Sequence, residues 1–190
     1  MLNIPCVIFA GGKSSRMGED KALLPFAGFK TLTEYQHSRL SKIFTNVYIS
    51  CKDKSKFNFS ANFIEDETAT DLYAPTAGFI ATYKVLQNMN IFVLSVDSPF
   101  IDNSIIQTLC KEHTKSFEAT LAKTKHGLEP LCGIYSVSLE KKFIAMKDKN
   151  SHKLGQMLQS SHIQTINFDD TIKFLNLNYK KDYLQAMSLL

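Results

Sequence analysis

Ile4-Pro5-Cys6-Val7-Ile8-Phe9-Ala10-Gly11-Gly12 is the stretch from which the rest of the chain can be read. Residues 4–10 form a continuously apolar run, the pattern of a strand covered on both faces, as in a parallel sheet. The glycine pair follows it directly. With no Cβ, these residues let backbone N–H groups come close to an anion. Taken alone, the pair reads equally well as an ordinary turn. The continuation Lys13-Ser14-Ser15-Arg16-Met17-Gly18-Glu19-Asp20-Lys21 adds a further glycine, a guanidinium and an ammonium, the components needed to neutralise a polyphosphate. Neither the Walker A spacing nor the Gly-x-Gly-x-x-Gly dinucleotide fingerprint occurs. The connection over 11–30 is long for a compact domain, and such connections are usually functional.

Outward from this stretch, strand-like and helix-like segments alternate, which predicts parallel βαβ construction and an α/β fold. Helical spacing is expected over 31–44, after Pro75, over 102–113 with Asp102 or Asn103 as cap, over 137–146 and over 153–159. Strands are expected over 46–51, 62–65, 91–96, 117–123, 129–135 and 162–168, with a turn at His126-Gly127. Asn178 is expected to cap a terminal helix. The whole of 1–190 reads as one domain, with about 1–100 on the nucleotide side and about 101–190 on the acceptor side. No repeat or low-complexity tract interrupts it.

Composition narrows the function classes. Apolar residues make up 44% and charged residues 21%, a globular balance. The net charge of +4 comes from 22 basic and 18 acidic residues that are scattered, which suits small anions and argues against nucleic acid. Cys6, Cys51, Cys110 and Cys132 lie far apart without a Cys-x-x-Cys pair, the pattern of reduced thiols in the cytosol. His37, His113, His126, His152 and His162 show no metal spacing. Residues 1–10 lack a basic n-region and are too short to span a bilayer, so a cytoplasmic protein with no membrane partner is expected.

Val96-Asp97-Ser98-Pro99-Phe100 puts a carboxylate at the end of an otherwise apolar strand. Such an Asp is often a cap or turn former. In an open α/β sheet, however, ligands sit beyond the carboxyl ends of the strands where strand order reverses. Gly11-Gly12 and Asp97 both occupy such ends and are expected to face one pocket.

The residues Phe9, Ala10, Gly11, Gly12, Arg16, Met17, Gly18, Asp20 and Lys21 resemble the Leu-Ala-Gly-Gly-x-x-x-Arg-Met-Gly-x-Asp-Lys signature of the molybdenum cofactor guanylyltransferases, within the broader α/β nucleotidyltransferases. Phe9 stands for the leucine, and the other positions match. The resemblance implies a single-domain three-layer sandwich with a Rossmann-like, mostly parallel sheet of the nucleotide-diphospho-sugar transferase type. It also implies that Phe9, Ala10, Gly11 and Gly12 contact the nucleotide and Lys21 its phosphates. Asp97 lies in the counterpart of an Asp-x-Pro segment whose Asp binds Mg²⁺ and nucleotide, which makes Arg16, Lys21 and Asp97 the catalytic set and Asp97 the metal ligand.

Ser50 sits where relatives often carry Asn, and Asp66 aligns with an acidic residue that helps bind the nucleotide; its plain alternative is a solvated turn carboxylate. Pro75-Thr76-Ala77-Gly78 is the counterpart of a Gly-Pro-Leu-Ala-Gly segment, with Ala74 and Thr76 replacing the usual Gly and Leu. Gly78 reads as close packing of helix on sheet. Phe174-Leu175-Asn176-Leu177-Asn178 resembles an Asn-x-Asn-Thr-Pro-Glu segment whose asparagines lie at the active site, although Tyr179-Lys180-Lys181 replaces Thr-Pro-Glu. Glu129-Pro130-Leu131 lies where relatives line the second-substrate side, so Pro130, Asn176 and Asn178 are the acceptor-side candidates.

The implied reaction is Mg²⁺-dependent transfer of GMP from GTP to molybdopterin, giving the guanine dinucleotide cofactor and pyrophosphate. Ala-Gly-Gly accompanies GTP where cytidylyltransferases tend to show Ala-Ala-Gly, and the chain is short for a sugar nucleotidyltransferase with an added domain. The alternatives are a cytidylyltransferase or sugar-phosphate nucleotidyltransferase, and a non-catalytic module that delivers cofactor. Molybdoenzymes or their chaperones are the implied protein partners, and a monomer is favoured.

Overall fold

Cys6–Phe9 forms β1, and all four of its residues are buried. Successive side chains of a strand point to opposite faces, so Cys6 and Ile8 enter one core while Val7 and Phe9 enter another. The computed structural model describes residues 1–12, 17–66, 75–151 and 153–190. After β1 come α1 (Leu32–Leu40), β2 (Val47–Cys51), β3 (Asn62–Glu65), α2 (Pro75–Val85), β4 (Ile91–Ser95) and α3 (Asn103–Glu112). The chain continues with β5 (Ala119–Thr124), β6 (Gly127–Tyr135), α4 (Glu140–Asp148), α5 (Leu154–Gln159), β7 (Ile163–Asn167) and α6 (Lys180–Met187).

The strands form one 7-stranded sheet in the order β3-β2-β1-β4-β6-β5-β7. Parallel pairing joins β3, β2, β1 and β4, and also β5 with β7, while β6 runs antiparallel to both its neighbours. From β1 the chain moves out to β2 and β3 and returns to β4 on the other side of β1. Strand order therefore reverses between β1 and β4, where Phe9 pairs with Ser95. Gly11 and Asp97, each two residues further on, leave the sheet at the same edge.

Helices cover both faces, giving three layers. Leu32 and Leu40 of α1, Ile105, Ile106 and Leu109 of α3, and Ala186 of α6 pack in the core that contains Ile8. Phe79 and Tyr83 of α2, Phe143 of α4 and Leu158 of α5 pack in the core that contains Phe9. The Phe79 and Phe143 rings stack with centroids 4.2 Å apart, which fixes α2 against α4.

Some boundaries differ from the sequence pattern for identifiable reasons. The helix expected over 31–44 ends at Leu40, because Phe44 turns back to bridge Leu2 at the sheet margin. The helix expected from 137 begins as a 3-10 turn, Val137–Leu139, and becomes α-helical at Glu140. Thr31 caps α1 through Glu34 N–H, and Asp102 caps α3 through Ile105 N–H, as its spacing predicts. Asn178 does not cap the terminal helix. Tyr179 is the N-cap, and the Asp182 carboxylate in the first turn reaches back to accept from the backbone N–H groups of Asn178 and Tyr179 at 3.1 and 2.8 Å.

Between β5 and β6 the register runs from Lys123 opposite Leu128 to Leu121 opposite Gly133. On the β5 side residues 129–132 thus face Ala122 alone, and 129–131 bulge out of the sheet while Cys132 pairs with Leu94 of β4. Pro130, which has no N–H to donate, is suited to such a position. The Tyr135 hydroxyl donates to the Pro130 carbonyl and ties the bulge down.

Candidate active site

Where β1 and β4 end, a cleft opens beyond the sheet. Phe9, Ala10, Gly11, Gly12, Lys21, Ser50, Asp66 and Asp97 all line it, so the expected nucleotide-side residues share one surface. Arg16 lies outside the described residues, as do Ala74 and His152.

The glycine pair can now be separated from an ordinary turn. Neither Gly11 nor Gly12 has the left-handed backbone that would demand glycine. Among the described residues, a Cβ on Gly12 would meet nothing within 4 Å, and one on Gly11 would stand 3.6 Å from the Asp66 carboxylate. Open space beside an exposed backbone leaves close approach by a ligand as the physical reason for a missing side chain. Gly78 is different. Its Cβ would lie 2.7 Å from the Phe9 ring and 2.8 Å from Ser50 Oγ, so glycine there allows α2 to pack on the sheet.

Lys21 begins a 3-10 turn capped by Asp20, whose carboxylate accepts from Ala22 N–H at 3.1 Å and pairs with Lys56 at 3.2 Å. The Thr33 hydroxyl anchors the turn by donating to the Ala22 carbonyl. Lys21 is thereby aimed inward, and its Nζ meets Asp97 Oδ2 at 2.5 Å, with only 15% and 16% of the two side chains exposed. Asp97 Oδ1 accepts from the Ser95 hydroxyl at 2.5 Å. Pairing lowers the cost of holding a carboxylate and an ammonium away from water.

The turn carrying Asp97 rests on a brace from α1. The Gln36 amide donates to the carbonyls of Ser95, Val96 and Ser98 at 3.4, 3.1 and 3.1 Å. Arg39 Nε in turn donates to Gln36 Oε1, and Arg39 Nη1 to the Ile101 carbonyl. Neither residue was singled out from sequence, although Leu32-x-x-x-Gln36-x-x-x-Leu40 puts a polar side chain in an apolar helical stripe, and all three residues are fully buried. Ser95, the one hydroxyl at the end of an apolar strand, was missed as well.

Asp66 is 8% exposed, which excludes a solvated turn carboxylate. Burial pushes its pKa up to about 6, opposed by the Ser50 hydroxyl, 3.3 Å away, and by Lys52.

A second cleft adjoins the first, and Pro75, Ser95, Asp97 and Leu131 line both. Pro130, Asn176 and Asn178 border this second cleft together with Glu129. Asn178 Oδ1 accepts from Lys21 at 3.4 Å, and Asn176 Oδ1 accepts from the Ser98 hydroxyl at 2.5 Å. The Leu177 N–H donates to the Asp97 carbonyl, pinning the C-terminal segment across the end of β4. Asp97 therefore stands at the junction of the two clefts, with Lys21 paired to it from the first.

Among the described residues, no group of three or more His, Cys, Asp or Glu gathers to cage a metal. Asp97, at the end of β4 beside the glycine pair, could serve Mg²⁺ as its one protein ligand, because that ion takes few and fills its octahedron with phosphate oxygens and water. No helix among the described residues is long and apolar enough to cross a membrane.

Residues 6–165 match the MobA-like NTP transferase domain family. The chain is 36% identical over 188 residues to a molybdenum cofactor guanylyltransferase of Campylobacter jejuni, covering 97% of this chain and 96% of that protein. It is also 36% identical over 194 residues to one from Helicobacter pylori, covering 99% and 94%. Its fold is similar to that of the molybdopterin-guanine dinucleotide biosynthesis protein A of Archaeoglobus fulgidus, with a TM-score of 0.83 at 23% identity over 98% of both chains. With its glycine cradle and inward lysine at the switch point of the sheet, the chain belongs to the MobA-like NTP transferase domain family and is a nucleotidyltransferase.

Proposed function

We propose that the chain transfers GMP from GTP to molybdopterin, forming molybdopterin guanine dinucleotide and pyrophosphate in the biosynthesis of the molybdenum cofactor. The observation that carries this reading is the Lys21–Asp97 pair at 2.5 Å, drawn from positions 76 residues apart and standing between two adjoining clefts. The names of the relatives support guanine as the base and molybdopterin as the acceptor.

The glycine-bearing cleft receives the triphosphate, and the neighbouring cleft receives the acceptor. An acceptor phosphate oxygen attacks the α-phosphorus in line. The bond to the bridging oxygen breaks, and pyrophosphate departs on the opposite side. A phosphate nucleophile is already ionised, so no general base is needed. Lys21 supplies positive charge where charge builds on the phosphoryl oxygens. Asp97, steadied by Ser95, would hold Mg²⁺, and the ion when bound neutralises phosphate charge. Until substrate arrives, Lys21 and Asp97 neutralise each other. Binding would exchange their mutual contact for phosphate and metal.

Replacing Asp97→Ala removes the carboxylate from the junction and leaves the cradle intact. Pyrophosphate release with GTP, Mg²⁺ and molybdopterin should fall by about 10³-fold or more, the scale of losing a main electrostatic contact in a dry site. Turnover near the parent rate would overturn the assignment of Asp97.

A further inference from the structure

The acceptor cleft contains a carboxylate with unused capacity. Glu129 lies in the bulge of β6 and is half-buried. Its Oε2 accepts from Asn176 Nδ2 at 3.5 Å, and its Oε1 from the Thr124 hydroxyl at 3.4 Å. An ionised carboxylate offers about four lone-pair sites, so two long hydrogen bonds leave most of them unmet. Among the described residues, no lysine or arginine forms an ion pair with it. Burial raises its pKa and the negative charge of Asp97 adds to that rise, so a ligand presenting N–H donors would stabilise the ionised form.

The walls around it select the shape of such a ligand. Ile101, Leu131, Leu154 and Phe174 give the cleft apolar sides, and Asn176 stands beside the carboxylate. Apolar walls with a carboxylate at one edge suit a flat heterocycle whose rim carries adjacent donors, since two parallel N–H groups match the two oxygens of a carboxylate. A 2-amino-4-oxopyrimidine ring has this rim, with a ring N–H beside an exocyclic NH₂. In the nucleotide cleft Asp66 is likewise a partly desolvated carboxylate, held by a single hydroxyl.

We propose that Glu129 determines acceptor specificity, its carboxylate accepting two N–H donors from the aminopyrimidinone edge of a pterin ring. This rests on the proposed function for the assignment of the second cleft to the acceptor. Asn176 and Thr124 hold the carboxylate in place while leaving the acceptor sites that the ligand takes.

The test compares binding of pterin with binding of lumazine, which carries a 2-oxo group in place of the 2-amino group, by quenching of ligand fluorescence in the presence of GTP and Ca²⁺. Wild-type protein should bind pterin about 10–100-fold more tightly, because the lumazine carbonyl faces a carboxylate without a proton to share. Glu129→Gln should abolish or reverse that preference, as an amide can pair with the lumazine edge. Its dissociation constant for GTP should stay within about twofold of wild type, a control for folding. Equal binding of the two rings by wild type, or an unchanged preference in a variant that still binds GTP, would overturn the role of Glu129. The two readings fail separately. Normal pyrophosphate release with molybdopterin but no ring preference removes only Glu129, whereas ring preference without release removes the proposed reaction.

Discussion

The cleft proposed for the nucleotide and the one proposed for the acceptor share Asp97 but are built by different means. The first is made of backbone at the ends of parallel strands, where Gly11 and Gly12 follow β1 directly and Lys21 sits on a short capped turn. The second is made of side chains from distant segments, with Glu129 on a bulge, Ser98 after β4 and Asn176 on the C-terminal segment. Asn176 is 47 residues from Glu129 and 78 from Ser98. A phosphate is recognised by amides that any sequence supplies, once glycine lets it approach. A heterocycle edge needs particular side chains, and so depends on tertiary structure to bring them together.

The difference predicts that damage to one cleft leaves binding in the other intact. A Cβ at Gly12 would meet no atom of the described residues within 4 Å, so the fold should tolerate Gly12→Val. The KM for GTP should rise by about 100-fold, the scale of losing two or more charge-assisted hydrogen bonds, with the melting temperature within a few degrees of the parent. Affinity for the acceptor should be unchanged. Weakened acceptor binding with normal GTP binding would show that the two clefts have been assigned the wrong way round.

A smaller effect comes from protonation. The Asp66 carboxyl is raised to about 6 by burial. Because burial disfavours the charged form, protonation of Asp66 is easier in the folded protein, and its contribution to folding becomes less favourable as pH rises from the ordinary carboxylate range through about 6. Nucleotide binding has the opposite sign, since only the ionised form accepts two donors. The dissociation constant for GTP should therefore increase several-fold between pH 7.5 and 5.5 in the wild type. Asp66→Asn should flatten this dependence to what titration of the nucleotide itself contributes. A parallel dependence in both proteins would remove Asp66 from nucleotide binding.

The same contrast explains which features could be read from the sequence. The strand over 4–10, the glycine pair and Asp97 were legible because strand, cradle and carboxylate are each local in the chain. The alternation of elements predicts the parallel pairing, and the turn at His126-Gly127 between two strands marks the β5–β6 hairpin, whereas the pairing of β6 with β4 joins segments distant in the chain and is set by tertiary structure. Gln36 was overlooked because a glutamine in a helix is usually solvated, and only its partner carbonyls reveal its role. The sequence favoured Asn178 equally as a helix cap and as a site residue. The cap reading fails, because Tyr179 is the N-cap, and the Asn178 side chain accepts from Lys21 instead. Its unused acceptor capacity makes Glu129 informative, and that capacity is visible only when its neighbours are known.

The central claim is that Lys21 and Asp97 join a guanine nucleotide in one cleft to molybdopterin in the other. Pyrophosphate release measured with Mg²⁺ and molybdopterin, using GTP, CTP and ATP in parallel, tests it most directly. Release with GTP at a rate at least about 10-fold above that with CTP or ATP, and only when molybdopterin is present, is the predicted result. Release that prefers CTP, or that requires a sugar phosphate in place of molybdopterin, would contradict the proposed reaction while leaving the nucleotidyltransferase family in place.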